Sequence, residues 1–403
     1  HAGSHHAELM NMACKAAVVG RDVAHLVLPD EVQLQPSDAD AGGPLGRVAS
    51  RQISPPAGVV DAAAEMIRQS SRPMIIVGHG ARNDMAEVIA LAEHIGAPVA
   101  TTFKGKGAIS DQHELGCGVL GRSGTPIASW FMNESDLLLV FGASFSNHTG
   151  IAPYKPIIQV DFDPMALGRF QAVDVPMLGH AAVTARLLAG EIGDDHECVD
   201  HRAEVAERWS IWREEKASRR ADDTGDGINA AALFDALTQT ADPDAVLCVD
   251  VGNNTYSFGR YFEVANQSVL MSGYLGSIGF GFPAAIGAWA AVGDERQIIG
   301  VSGDAGFGQY AMEVTTAVKY GMNITHVIMN NAELGKISKE QRAAELDVWQ
   351  TSVTTPSFGE FAQLCGAWGA RVGRIDQLEA ALSAALAHEG PAIVEVMTDA
   401  LLV

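Results

Sequence analysis

Gly303-Asp304-Ala305-Gly306-Phe307, answered downstream by the amide pair Asn330-Asn331, decides how this chain is read. Ahead of it, Ile298-Ile299-Gly300-Val301-Ser302 is short, apolar and bounded by glycine, which predicts a buried strand. Residues 308–320 place Met312, Val314, Ala317 and Val318 at helical spacing, and residues 323–329 predict a second buried strand ending at the amides. One crossover helix between two parallel strands would bring Asp304 and Asn331 to one sheet edge. The glycines Gly303 and Gly306 let backbone N–H groups, including that of Ala305, approach a phosphate closely. A carboxylate, an amide and a main-chain carbonyl suit a hard divalent cation that keeps phosphate oxygens in its shell. The stretch therefore predicts a magnesium-diphosphate clamp.

Outward from the clamp, helix and strand signals keep alternating. Residues 59–190 predict helices at 61–69 and 85–95 and strands at 74–77, 99–102, 137–141 and 157–160, a doubly wound parallel α/β domain. A charged helix at 204–220 lies within a connecting segment, 191–227, before a second α/β domain at 228–403. At the other end, 1–36 predicts a helix (8–19) and a strand (24–29), followed by a Pro- and Gly-rich linker over 37–58. The expected fold class is thus α/β: two doubly wound parallel-sheet domains with helices on both faces, plus a remnant of a third.

Composition narrows the function classes. The 403 residues are 47% hydrophobic, enough for packed cores, and the net charge of −22 argues against nucleic-acid binding and against a polybasic membrane contact. No apolar run reaches the length of a membrane span, and no amphipathic C-terminal helix suggests an anchor. Five cysteines without CxxC spacing suggest neither a disulfide framework nor zinc, so a reducing cytoplasm is the expected compartment.

The clamp resembles the cofactor signature of the thiamine diphosphate (ThDP) enzymes. That resemblance implies magnesium ligands at Asp304, Asn331 and the main chain of Glu333. Two further stretches are similar to the same family. Val249-Asp250-Val251-Gly252-Asn253-Asn254 offers Gly252, Asn253 and Asn254 as a donor nest for phosphate oxygens. Tyr274-Leu275-Gly276-Ser277-Ile278-Gly279 implies a Gly276 carbonyl accepting from the aminopyrimidine, Ser277 beside it, and Ile278 propping the cofactor in a bent shape.

The order of segments resembles the pyruvate oxidase and acetolactate synthase branch. On that resemblance, residues 59–190 form a flavin domain with FAD held by Gly80, Arg82, Lys104, Gly142, Ser144 and Asp161 at converging strand ends. Leu334-Gly335-Lys336-Ile337-Ser338-Lys339-Glu340-Gln341 is similar to the oxidases, which implies Ile337 over the thiazolium and Glu340 as a proton-moving carboxyl of raised pKa. The expected activity is decarboxylation of a small 2-oxo acid, with pyruvate as donor and oxidation through FAD. The alternatives are an acetolactate synthase-like carboligase and a non-catalytic ThDP-binding subunit. The resemblance also implies self-association as a homodimer or homotetramer, and it makes 1–36 the tail of a pyrimidine-binding domain whose activating glutamate lies outside this sequence. On its own, the chain is therefore expected not to turn over.

Overall fold

The computed structural model describes residues 5–36, 40, 42–122, 124–273 and 275–401. They fall into two compact units, His1–Ile53 and Ser54–Val403. The smaller unit has the helices His6–Gly20 and Asp30–Gln33 and, among its described residues, no strand. The strand expected at 24–29 is therefore absent. Val27 is exposed there and no neighbouring strand supplies a ladder, without which an extended segment is not stable.

The larger unit holds two parallel six-stranded sheets. The first contains β1 (Pro73–Val77), β2 (Val99–Thr101), β3 (Gly116–Val119), β4 (Leu137–Phe141), β5 (Ile157–Asp161) and β6 (Val175–Leu178), in the order β3-β2-β1-β4-β5-β6. Every residue of β1 and of β4 is buried, as continuous apolar runs require when helices cover both faces. Those helices are Ala57–Gln69, Met85–His94, Pro126–Glu134 and Ala181–Ile192. The Pro126–Glu134 helix starts on Thr125, whose hydroxyl accepts from the Ala128 N–H at 3.3 Å, with proline at the first turn where no N–H is missed.

The second sheet contains β7 (Val246–Val249), β8 (Ser268–Met271), β9 (Ile298–Gly303), β10 (Ile324–Asn330), β11 (Trp368–Val372) and β12 (Ala392–Met397), in the order β11-β12-β10-β9-β7-β8. The crossover from β9 to β10 is broken rather than a single helix: Asp304–Gly308, a 3-10 turn Ala311–Glu313, then Val314–Tyr320. Three glycines in 303–308 weaken helical continuity, and Asp304 becomes the first residue of the short helix, immediately after the strand.

The helix Arg202–Arg220 ties the two sheets together. Trp209 and Trp212 are buried, Trp209 Nε1 donates to the Gly116 carbonyl at 2.7 Å, and Trp212 stacks on Tyr261. Lys106 and Asp111, each 4% exposed, form an ion pair of 3.1 Å, and Asp111 also accepts from the Val264 N–H at 2.8 Å. One hydrophobic cluster runs through both sheets, from Met74 and Phe131 through Trp209 to Leu247 and Val394.

Candidate active site

In the second sheet the chain leaves β7 for β8 on one side and returns to β9 on the other. A crevice opens at such a reversal, outside the carboxyl ends of the strands. Three of those ends, on β7, β9 and β10, carry the residues singled out above. The register pairs Met329 with Gly303, so Asn331 and Asp304 leave neighbouring strands side by side.

Asp304 is 2% exposed. Its Oδ1 accepts from the Ala305 N–H at 2.7 Å, while Oδ2 is buried with no hydrogen-bond partner. Burial pushes the carboxyl above its usual range, and the N–H groups of Ala305, Ala332 and Asn331 oppose the shift. A buried carboxylate oxygen without a donor is costly unless a cation meets it, so this atom fits a divalent ion. Asn331 Oδ1 accepts from the Glu333 N–H at 3.1 Å, and the Glu333 carbonyl accepts from the Gly335 N–H at 2.8 Å. Both oxygens face local turns and keep a second lone pair for a metal. The turn passes through Ala332 at φ 54°, a left-handed position held by the Val353 N–H on its carbonyl at 2.8 Å.

Gly252 starts the helix Asn253–Tyr261 at φ 131°, a conformation that favours glycine. The helix N-terminus presents unpaired N–H groups, as a diphosphate requires. Asn253 Nδ2 is buried without a partner. A Cβ on Gly335 would lie 2.7 Å from that nitrogen and 3.1 Å from Asn331 Nδ2, so the two amides sit together. Asn254 turns inward instead, donating to the Asp250 carbonyl at 2.8 Å, and is a structural support for the loop.

The turn carrying Gly276, Ser277 and Ile278 is anchored by a residue that sequence reasoning quoted but did not select. Asp250, 1% exposed, accepts from the N–H groups of Gly279 at 3.1 Å and Phe280 at 3.0 Å. Burial raises its pKa against those donors. Gly306 packs against the same carboxylate, where a Cβ would lie 3.3 Å from the Gly279 nitrogen. Asp250 thus binds the β7 end, the clamp helix and the 276–279 turn into one assembly. The signal for it was a carboxylate directly after a strand of four apolar residues. Gly276 has φ 64° and is exposed with Ser277, while Ile278 is half-buried and Tyr274 lies outside the described residues.

Ile337 and Glu340 lie on the helix Gly335–Ala343. The raised pKa expected of Glu340 is not found. Its side chain is exposed and paired with Lys336, and that ion pair, aided by Arg122 and His148, holds the carboxyl below its ordinary range. Lys336 stands one helical turn before it, close enough to override any effect of burial.

In the first sheet the reversal falls between β1 and β4. Gly80 and Gly142 meet there so closely that a Cβ on Gly80 would lie 2.9 Å from the Gly142 Cα. Ser144 is exposed just beyond. Lys104 has a lowered pKa through burial and the nearby Arg82, so two cations share this edge. Asp161, at the end of β5, is pushed up by burial and accepts from the Asp163 N–H at 2.9 Å. Lys104 also lies against Gly273, linking this edge to the 275–280 turn.

Residues 60–188 match the thiamine pyrophosphate enzyme central domain, and residues 250–396 match the C-terminal TPP binding domain. The chain is 31% identical to a putative thiamine pyrophosphate-containing protein, YdaP, of Bacillus subtilis, over 97% of this chain and 68% of that protein. The chain belongs to the thiamine pyrophosphate enzymes. Within that family it is similar to the acetolactate synthase isozyme 2 large subunit of Escherichia coli, at 29% identity over 98% of this chain and 71% of the relative. It is also similar to a probable acetolactate synthase large subunit of Methanocaldococcus jannaschii, at 30% over 97% and 69%. Among the described residues of this ThDP enzyme, no helix is long and apolar enough to cross a membrane.

Proposed function

We propose that this ThDP enzyme is an acetolactate synthase-like carboligase: it decarboxylates one 2-oxo acid, with pyruvate as donor, and joins the acyl carbon to the carbonyl carbon of a second. The observation that carries a ThDP role is the buried, unpartnered Oδ2 of Asp304 beside Asn331, at the crevice where two glycine-led helix N-termini converge. The carboligase reading is supported by the likeness to acetolactate synthase subunits and by Glu340, whose pairing with Lys336 takes away the argument for an oxidase-like proton carrier. In the carboligase reaction one C–C bond breaks to release carbon dioxide, one C–C bond forms, and one proton is taken up. No oxidant enters that balance.

Asp304, Asn331 and the Glu333 carbonyl would hold magnesium, and the N–H groups after Gly252 would hold the diphosphate. Bound ThDP supplies an electron sink for loss of the carboxyl group. Asp250 fixes the 276–279 turn, Ile278 fills space beside it, and Gly276 offers a carbonyl to orient the pyrimidine. We infer FAD at the first sheet's reversal, supported by the close Gly80–Gly142 approach and the Arg82–Lys104 cation pair. Exposed Leu275, Met312, Ile337 and Trp349 support self-association.

The test joins this chain to a pyrimidine-binding domain and supplies pyruvate, ThDP and magnesium, with and without FAD and a dye acceptor. Acetolactate formation without dye reduction is the expected result. Dye reduction with an oxidised acetyl product would establish the oxidase, and ThDP binding without carbon dioxide release, even beside a second copy in a dimer, would establish a non-catalytic subunit.

A further inference from the structure

Between the two sheets lies a cavity of about 260 Å³ that neither the metal clamp nor the β1–β4 reversal includes. It is lined by Arg122 and His148 from the first sheet's loops, by Asn253, Tyr256, Ser257 and Arg260 from the Asn253–Tyr261 helix, and by Lys336, Lys339 and Glu340. The size is below the roughly 300–1,000 Å³ of pockets for drug-sized ligands, so it suits one end of a small molecule.

Its charge runs against that of the chain. Four permanent cations (Arg122, Arg260, Lys336 and Lys339) surround a single carboxylate, Glu340, in a protein of net charge −22. Among the described residues, Lys336 is the one of the four in an ion pair, with Glu340, and its ammonium also stands 5.5 Å from the Tyr256 ring. Arg260 donates to the Arg122 carbonyl at 3.3 Å, which carries no countercharge. Among the described residues, Arg122 and Lys339 pair with no carboxylate. Two polar groups in the lining also lack partners: the hydroxyl of Ser257, which is 2% exposed, and the amide of Asn253. Converging cations with buried, unused donors form a site for an anion. Asn253 belongs to this lining and stands beside Asn331, so an anion here is next to the clamp.

We propose that this cavity binds a second acidic group, a carboxylate at the far end of the acceptor 2-oxo acid. The inference rests on the carboligase reading, keeps pyruvate as donor, and narrows the preferred acceptor to 2-oxo acids with two acidic ends. A charge-assisted hydrogen bond contributes about 1.5–3 kcal/mol, equivalent to a preference of about ten-fold or more over an uncharged end.

Calorimetry on the full chain separates the alternatives, using 2-oxoglutarate and its uncharged-end counterpart 2-oxopentanoate, which has the same chain length. The parent should bind 2-oxoglutarate about ten-fold tighter. Arg122→Gln with Lys339→Gln, both at exposed positions, should remove that preference and leave ThDP-magnesium and FAD affinity unchanged, whereas Arg122→Lys should retain it. Equal affinity for the two acids in the parent, or a preference that survives the double substitution, overturns the proposal. So does a double variant that loses ThDP or FAD affinity while keeping its preference, because the cations then serve a cofactor phosphate. A parent that discriminates between the acids yet binds no ThDP would sink the carboligase reading alone and leave the anion site standing.

Discussion

Glu395, wholly buried on β12, accepts a hydrogen bond from Asn330 Nδ2 at 2.8 Å, one residue before the amide proposed to hold magnesium. Its other oxygen accepts from the Gly359 N–H at 3.2 Å and the Ser357 hydroxyl at 3.4 Å, with Arg371 at 3.9 Å. Asn330 Oδ1 in turn accepts from the Ala332 N–H at 3.1 Å, so Glu395 steadies the turn that aims Asn331. Glu395→Ala should cost about 3–5 kcal/mol, since several buried donors lose their acceptor at once. Glu395→Gln, which keeps one acceptor, should cost less and weaken magnesium-dependent ThDP binding without removing it. Denaturant melts and a magnesium titration of both variants check this; equal, wild-type behaviour would detach Glu395 from the clamp.

Asp304→Ala should abolish magnesium-dependent ThDP binding while leaving the fold intact. The carboxylate is poorly satisfied within the protein, so its removal relieves a desolvation cost and should leave stability unchanged or raise it by about 1 kcal/mol. Calorimetry with magnesium and a thermal melt read the two effects separately. Unchanged ThDP affinity would show that the metal sits elsewhere.

Ile278→Ala should leave ThDP affinity within about two-fold and slow exchange of the cofactor's C2 proton by about ten-fold or more, because its role is positional. The anchor behind it makes a companion prediction: Asp250→Asn keeps one acceptor oxygen, so it should release one of the two N–H groups of Gly279 and Phe280 and slow the same exchange. Proton exchange followed by NMR decides both. If neither substitution alters the rate, the 276–279 turn does not shape the cofactor.

His326 on β10 is fully buried, packed against Phe282 and Phe307, and hydrogen-bonded to Ser302 at 2.7 Å. Burial lowers its pKa from 6.5 to about 3. The native state keeps the ring neutral while the unfolded chain protonates below pH 6.5, so this contribution is complete above 6.5 and declines as pH falls toward about 3. The loss is of the order of several kcal/mol. His326→Gln should flatten the dependence of stability on pH across that window. Parallel pH profiles for parent and variant would contradict a neutral buried ring.

The parts of this architecture legible in the sequence were those written as continuous apolar runs or as fixed spacings. Leu137-Leu138-Leu139-Val140-Phe141 forms β4 with the bounds expected, and Asp304 and Asn331 do leave adjacent strands. What escaped depends on contacts between distant segments. Asp250 stands out only once Gly279 and Gly306 are folded onto it, and the opposed Arg122 and Lys339 are 217 positions apart. Glu340 misled because its neighbour Lys336, plain in the sequence, was given no weight against the family likeness. The extended segment at 24–29 looked like a strand because composition does not reveal whether a partner is present to pair with it.

The apolar cluster that passes uninterrupted from one sheet to the other, pinned by Lys106, Asp111 and the Arg202–Arg220 helix, denies the molecule a hinge. The two sheets cannot rock apart like jaws to admit substrate without exposing Trp209 and Trp212 to water. For the same reason, loss of packing on one sheet strips cover from the other, so heat or denaturant should melt the two sheets of residues 54–403 together rather than in sequence.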